Sequence, residues 1–131
     1  LFCSLHGDPE EAFPHFLGYA DEAGLGAGIG FNRNYPLPRG TSFAEWRAAL
    51  EDAMGHIRSY APQYLVISLG VDTFENDPIS FFKLTTPDYL TTGELIGSLD
   101  LPTLFVLEGG YDIDEVGLNA VNVLKGFEKK S

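Results

Sequence analysis

Residues 64–78, YLVISLGVDTFENDP, decide how the rest of the chain is read. The stretch opens on a near-continuous apolar run, YLVISLG, with the length and β-branched content of a strand covered on both faces. The run then stops, and Asp72, Glu75 and Asp77 follow within a few residues. Carboxylates gathered where a buried strand runs out can be solvated turn residues, helix caps or ligands of a metal. Which of these applies depends on what else the fold brings to the same strand end.

Two further runs have the same character, LFCSL at 1–5 and TLFVLEG at 103–109. Amphipathic helices lie between and after them. Ser42 with Glu45 three residues on forms a capping box, and Phe43, Trp46, Leu50, Ala53 and Ile57 repeat at helical spacing until Ala61-Pro62. A second helix is predicted to open on Thr86-Pro87, a cap followed by proline at the first helical position, and to run to about Leu99. A third follows Asp112, with Glu115 placed for another capping box and Ile113, Val116, Ala120, Leu124 and Phe127 forming its apolar stripe. Alternation of strand and helix predicts an α/β fold, a parallel sheet in a three-layer α-β-α arrangement. Three strands make a small sheet whose open edges are a liability for a free-standing protein.

Residues 7–40 break this alternation with seven glycines and four prolines, and read as one long loop region of functional rather than filler character. Its GLGAGIG superficially resembles a dinucleotide fingerprint. Such a fingerprint must open a helix, whereas this one runs into FNRNYPLP, where Pro36 and Pro38 forbid one. The nucleotide reading is rejected.

The 131 residues fit one domain, with an ordinary 44% hydrophobic and 21% charged composition. A formal charge of −11 argues against a nucleic-acid partner and is compatible with a cationic ligand. No apolar run approaches the ~20 residues of a membrane span, and no signal peptide opens the chain. The first residues already read as a buried strand, so the domain is expected to begin upstream. The single Cys3 excludes an internal disulfide, is expected in the core rather than reactive, and fits a reducing, cytoplasmic compartment.

Ligands of open parallel sheets bind beyond the carboxyl ends of the strands. The candidates there are His6 and Asp8, then Asp72, Glu75 and Asp77, then Glu108, Gly109, Gly110 and Tyr111. Asp72 and Tyr111 each sit just past a strand, one strand–helix–strand unit apart, which can bring them to one crevice. A carboxylate there suits a divalent metal such as zinc, and a phenol suits an oxyanion forming on a metal-bound carbonyl. The structural readings stand beside these: Asp72 as the cap of a turn, Tyr111 as an amphipathic edge of the core. Completing a metal site within the chain is hard. His6, Asp8, His15 and Asp72 are available, but there is no H-x-x-x-H spacing, no tandem His pair and no G-x-S-x-G elbow; His56 reads as a surface histidine.

Three ordered motifs, SLHGDPEEAFPHF, SLGVDTFENDP and VLEGGYD, together resemble the second half of the zinc-dependent histone deacetylase and acetylpolyamine amidohydrolase superfamily, which has the arginase-deacetylase fold. GDPEEAFPHFLGYADE, GFNRNYPLPRGT and GVDTFENDPISFFKLT are more similar to the acetylpolyamine branch. The resemblance covers essentially the whole chain. It implies Asp72 as a zinc ligand and Tyr111 as the catalytic donor that polarises the scissile acetyl carbonyl. It implies Phe13 and Ile79 as apolar tunnel walls, with Gly109 and Gly110 at the substrate. Ser4 and Leu5 match part of a monovalent-cation site, expected to take potassium, and Phe31 a carbonyl of a second one. Asp77 is left as a turn residue before Pro78, and His6 is no zinc ligand. The family's tandem His and its D-x-H motif, which carries two further zinc ligands, are missing from this sequence. Residues 1–131 therefore read as a carboxyl-terminal partial domain, expected to be inactive alone. The parent protein would hydrolyse N-acetyl amides of small cationic substrates. The alternative is a non-catalytic half-domain that pairs through its exposed sheet edge or apolar flank with a second copy or another protein.

Overall fold

The chain is described by a computed structural model over residues 1–129. In chain order the elements are β1 (Phe2–Gly7), β2 (Asn32–Leu37), β3 (Thr41–Ser42), α1 (Phe43–Tyr60), β4 (Leu65–Leu69), β5 (Phe82–Lys83), α2 (Thr86–Gly97), β6 (Thr103–Leu107) and α3 (Val116–Glu128). A short 3-10 turn spans Gly26–Gly28. No helix among the described residues is long and apolar enough to cross a membrane.

All strand pairs are parallel, as the apolar runs predict, but they form three two-stranded ladders, β1–β2, β3–β5 and β4–β6. The expected single three-stranded sheet is therefore corrected. The first strand pairs with β2, which lies inside the segment read as one long loop. NRNYPL escapes a pattern reading because it is polar and carries Pro36, which an edge strand tolerates where its missing N–H faces away from the ladder. GLGAGIG leads into this strand and not into a helix.

The helices start where side chains satisfy their free N–H groups. At α1 the Ser42 hydroxyl accepts from Glu45 N, and Glu45 Oε2 accepts from Ser42 N at 2.8 Å. Ala61, at φ +52°, ends the helix in the left-handed region before Pro62. Helix α2 begins one residue earlier than the Thr86-Pro87 pair suggests. Thr85, not Thr86, is the N-cap, and Asp88 Oδ2 accepts from its backbone N and its hydroxyl, both at 2.7 Å. At α3 the predicted capping box does not form. Asp112 Oδ1 instead accepts from Asp114 N and Glu115 N, closing a turn, so the helix starts at Val116 and Ile113 is left exposed.

Leu69, Val71, Phe74, Phe82, Leu84, Tyr89 and Val123 form the core, with Ile67, Phe105, Trp46 and Val116 packed around it. Helices α2 and α3 lie backbone to backbone. A β-carbon on Gly93 would overlap the Val123 carbonyl, and one on Gly126 the Leu90 carbonyl, so glycine sets the approach. This turns α3 so that Asn119 and Val123 are buried while Leu124, expected in the stripe, is exposed.

The strands alternate. Ile67, Leu69 and Phe105 belong to the core or pack against it, whereas Val66, Leu104 and Val106 are 62%, 60% and 43% exposed. An apolar run predicts cover on both faces. Among the described residues only one face of β4–β6 has it.

Candidate functional site

The parallel pairing of β4 with β6 continues just past both strands. Glu108 N donates to the Leu69 carbonyl at 2.9 Å and Val71 N to the Gly109 carbonyl at 2.7 Å. Both loops therefore leave the same sheet end in register, and Asp72 arrives beside Gly109. A β-carbon on Gly109 would overlap Asp72 Oδ2, and one on Gly70 would stand 2.9 Å from Oδ1. The carboxylate is thus seated in a space that these two glycines leave open. Tyr89 braces this turn from below. Its hydroxyl donates to the Val71 carbonyl at 3.0 Å and lies 2.9 Å from the Thr73 hydroxyl, which is left to donate back.

Asp72 is half-buried, and burial, followed by the charges of Asp77 and Glu108, pushes its carboxyl up from its ordinary value. No ion pair compensates it among the described residues. A half-buried carboxylate with like-charged neighbours is poised for a cation.

The three acidic residues that follow β4 have three different fates. Asp72 fills the space left by Gly70 and Gly109. Glu75 is exposed, and only its backbone is used, its N donating to the Leu84 carbonyl at 2.8 Å. Asp77 is buried and does far more than close a turn before Pro78. Its Oδ2 accepts from Tyr111 N at 2.6 Å and Asp112 N at 3.1 Å, while Oδ1 accepts from Ile79 N at 3.1 Å. Asp72 and Tyr111 accordingly lie on one rim of the sheet, held by the same pair of loops. The Tyr111 side chain is 55% exposed and its phenol makes no hydrogen bond among the described residues. Gly110, at φ +148°, makes the turn before it, where a β-carbon would run into Val71 and Val116.

The remaining candidates sit elsewhere. Ile79 is exposed on the Asp77 loop, and Phe13 is 90% exposed in the segment after β1. Ser4 and Leu5 are half-buried on β1. Ser4 Oγ is 2.8 Å from His6 Nδ1, and His6 Nε2 is 2.7 Å from the Gly18 carbonyl. A carbonyl only accepts, so Nε2 carries a proton; in the neutral imidazole Nδ1 then accepts, and the Ser4 hydroxyl donates to it. The Ser4 lone pairs are then left for another donor or a cation. The Phe31 carbonyl already accepts from Phe2 N at 2.8 Å. A hollow of about 290 Å³ lies over this ladder, lined by Ser4, His6, Gly18, Glu22 and Asn34 among others, and neither Asp72 nor Tyr111 lines it. Cys3 is half-buried, and burial pushes its thiol pKa up from its ordinary value.

Among the described residues no three His, Cys, Asp or Glu side chains converge as a metal site. His6, Asp8 and His15 are not brought to Asp72: His6 is engaged with Ser4 and Gly18, and His15 lies by the Pro9 carbonyl. Sequence reading missed the role of Asp77 and the Ser4–His6 contact. The only signal for Asp77 was its place in the carboxylate cluster, since its partners lie 34 and 35 positions away.

Comparison with known proteins bears on the same residues. Residues 1–127 match the histone deacetylase domain. The chain is 59% identical over 128 residues to acetylpolyamine amidohydrolase 2 of Pseudomonas aeruginosa, covering 98% of this chain and 37% of that protein. It is 59% identical over 126 residues to the acetylpolyamine amidohydrolase of Mycoplana ramosa, covering 96% of this chain and 37% of the relative. The crystal structure of the acetylpolyamine aminohydrolase from Burkholderia pseudomallei superposes with a TM-score of 0.97 at 42% identity, covering 99% of this chain and 38% of that one. The chain thus spans a little over a third of the length of the relatives it matches. A parallel α/β fold in this topology, the loops beyond β4 and β6, and a match over nearly every residue lead to one conclusion: the chain belongs to the histone deacetylase family.

Proposed function

We propose that, within a protein of the length of its relatives, this chain supplies part of the active site of a zinc-dependent deacetylase acting on N-acetyl amides of small cationic molecules such as acetylated polyamines. The observation that carries the reading is the seat that Gly70 and Gly109 leave for Asp72, next to the loop that carries Tyr111, in a chain 59% identical to an acetylpolyamine amidohydrolase. The residues fit one ligand of a zinc site: Asp72 is a half-buried carboxylate without a compensating cation. A catalytic zinc takes about three protein ligands, so the others come from outside these residues. Bound there, zinc would supply Lewis acidity toward the acetyl carbonyl.

The chain's own groups divide the remaining work. The Tyr111 phenol, unpartnered here, donates a hydrogen bond to the acetyl oxygen as negative charge develops on it. Gly109 and Gly110 let the backbone approach the substrate closely. Phe13 and Ile79, exposed here, offer apolar walls to the methylene stretches of a polyamine. Ser4, whose hydroxyl proton is committed to His6, together with the Leu5 carbonyl, presents lone pairs to a potassium ion, and Phe31 offers a carbonyl to a second. The net charge of −11 favours a cationic substrate. Among the described residues no zinc shell is complete, so the chain alone is expected to be inactive.

In the longer protein, Tyr111→Phe keeps zinc and lowers kcat about 100-fold or more, the loss seen when one oxyanion donor is removed. Full turnover in that variant removes Tyr111 from the chemistry. A second reading, a half-domain that pairs with a second copy, is favoured by the exposed Val66, Leu104 and Val106 face. Sedimentation and metal analysis of the 131-residue chain separate the two. A zinc-free dimer supports pairing, and a monomer with stoichiometric zinc refutes it.

A further inference from the structure

We infer that Asp77 is a positioning residue for Tyr111: its carboxylate clamps the backbone at the tyrosine and so sets where the phenol stands. The inference rests on the reading of Tyr111 as the oxyanion donor. Asp77 is 6% exposed and makes no ion pair among the described residues. What satisfies it is three backbone N–H groups, two of them from the loop beyond β6. Hydrogen bonds to a carboxylate are the strong kind, and the 2.6 Å contact to Tyr111 N is the shortest of the three.

The clamp acts between two other restraints of the loop, the ladder bonds at Glu108 and Gly109 and the turn that Asp112 closes. Tyr111 is more than half exposed and its phenol has no hydrogen-bond partner among the described residues, so its position derives from its backbone. On the other side Gly110 is wedged against Val71 and Val116. The loop is therefore fixed from two sides, by packing at Gly110 and by charge at Asp77. Both Asp77 oxygens are used, which explains the residue type. An asparagine has one acceptor, and whichever way its amide turns, an N–H meets either Ile79 N or the Tyr111–Asp112 pair. Asp77 is also close enough to raise the Asp72 carboxyl, so a substitution acts on both residues and the test must separate them.

The test is a double-mutant cycle on an N-acetylated diamine with the longer protein, together with amide NMR of the 131-residue chain. Asp77→Asn is expected to lower kcat about 10- to 100-fold with KM within about twofold, the scale of a misplaced catalytic group. In a Tyr111→Phe background the same substitution is expected to change kcat by less than about twofold, because the group it positions is gone. An equal loss in both backgrounds means that Asp77 acts through Asp72 or through folding, and overturns the inference; so does an unchanged kcat in Asp77→Asn alone. Unchanged turnover in Tyr111→Phe alone sinks the reading of Tyr111, and with it the catalytic part of this inference. The clamp itself is then judged by the Tyr111 and Asp112 amide protons. They are expected to move upfield and exchange at least about 10-fold faster in Asp77→Asn, and unaltered amides refute it. Should that variant not fold, the wild-type chain decides: exchange of these two amides at the rate of an open loop overturns the clamp.

Discussion

Two regions of this molecule are built on opposite terms. From β4 to α3 the chain encloses a core, with Val71, Leu84 and Val123 at 1%, 1% and 0% exposure. From the end of β1 to β2 it does the reverse: Phe13, Phe16 and Leu25 are 90%, 88% and 92% exposed. That segment is held instead by polar contacts. Glu22 Oε2 accepts from Gly18 N and from Asn34 Nδ2, which also donates to the Tyr19 carbonyl, while His6 ties Ser4 to Gly18. Apolar residues in the first region meet one another, whereas of the hydrophobic side chains in the second only Ala12 is buried and only Leu37 packs against the core. The contrast shows that a family match over nearly the whole chain does not mean that every apolar residue is buried within it. The shape of the second region is specified by hydrogen bonds, its apolar surface being left for something else to cover.

The largest expected effect tests that contrast directly. Leu84→Ala, in the core, should lower unfolding free energy by about 2–5 kcal/mol in urea denaturation. Phe16→Ala should change it by less than about 0.5 kcal/mol. Similar losses at the two sites would erase the distinction. Next, His6→Ala removes two polar contacts of the open region and should cost about 1–2 kcal/mol, visible as faster amide exchange around residues 18–22. Protection there that is indifferent to His6 would mean that packing, after all, holds the segment. Asp88→Ala strips the α2 cap and should cost about 1 kcal/mol.

The smallest effects are those of pH, and their signs differ. The Asp72 carboxyl is raised above its ordinary 3.8, so folding disfavours the ionised form. That cost is absent well below 3.8 and grows as pH rises through this value toward the higher folded pKa. Asp72→Asn should therefore raise the melting temperature of this chain by about 2 °C at pH 7, discounted for partial exposure, and by nothing in acid. Glu45 is the converse, lowered from 4.5 by its bonds to Ser42. Its support of α1 is present above 4.5 and lost as pH falls through the lower folded value, so Glu45→Gln should destabilise only away from acid. Melting curves of both variants from pH 3 to 7 would expose an error in either sign.

Much of the fold was legible because its cues are local. The Ser42–Glu45 box, the Ala61-Pro62 stop and the runs at 64–70 and 103–109 each lie within a few residues, and the structure keeps them. The cue failed where a local pattern had two solutions. Asp112 and Glu115 have capping-box spacing, yet Asp112 closes a turn and the helix waits until Val116. NRNYPL has no alternation to betray a strand and becomes one because β1 lies alongside it. At the site, residue types in order pointed to Asp72 and Tyr111 as neighbours across the sheet end. The same order misjudged Asp77, whose turn before Pro78 is real but is the lesser of its two contributions.

By itself the sequence determined where the chain is extended, where it coils and which carboxylates stand at a strand end, because these depend on spacings of two to four residues. Tertiary structure alone decided which strands pair, which face of β4–β6 stays bare, and that Asp77 grips the backbone of Tyr111. The physical reason is separation along the chain. A hydrogen bond spanning 34 residues leaves no periodicity behind, and exists only after packing has brought two loops to one edge.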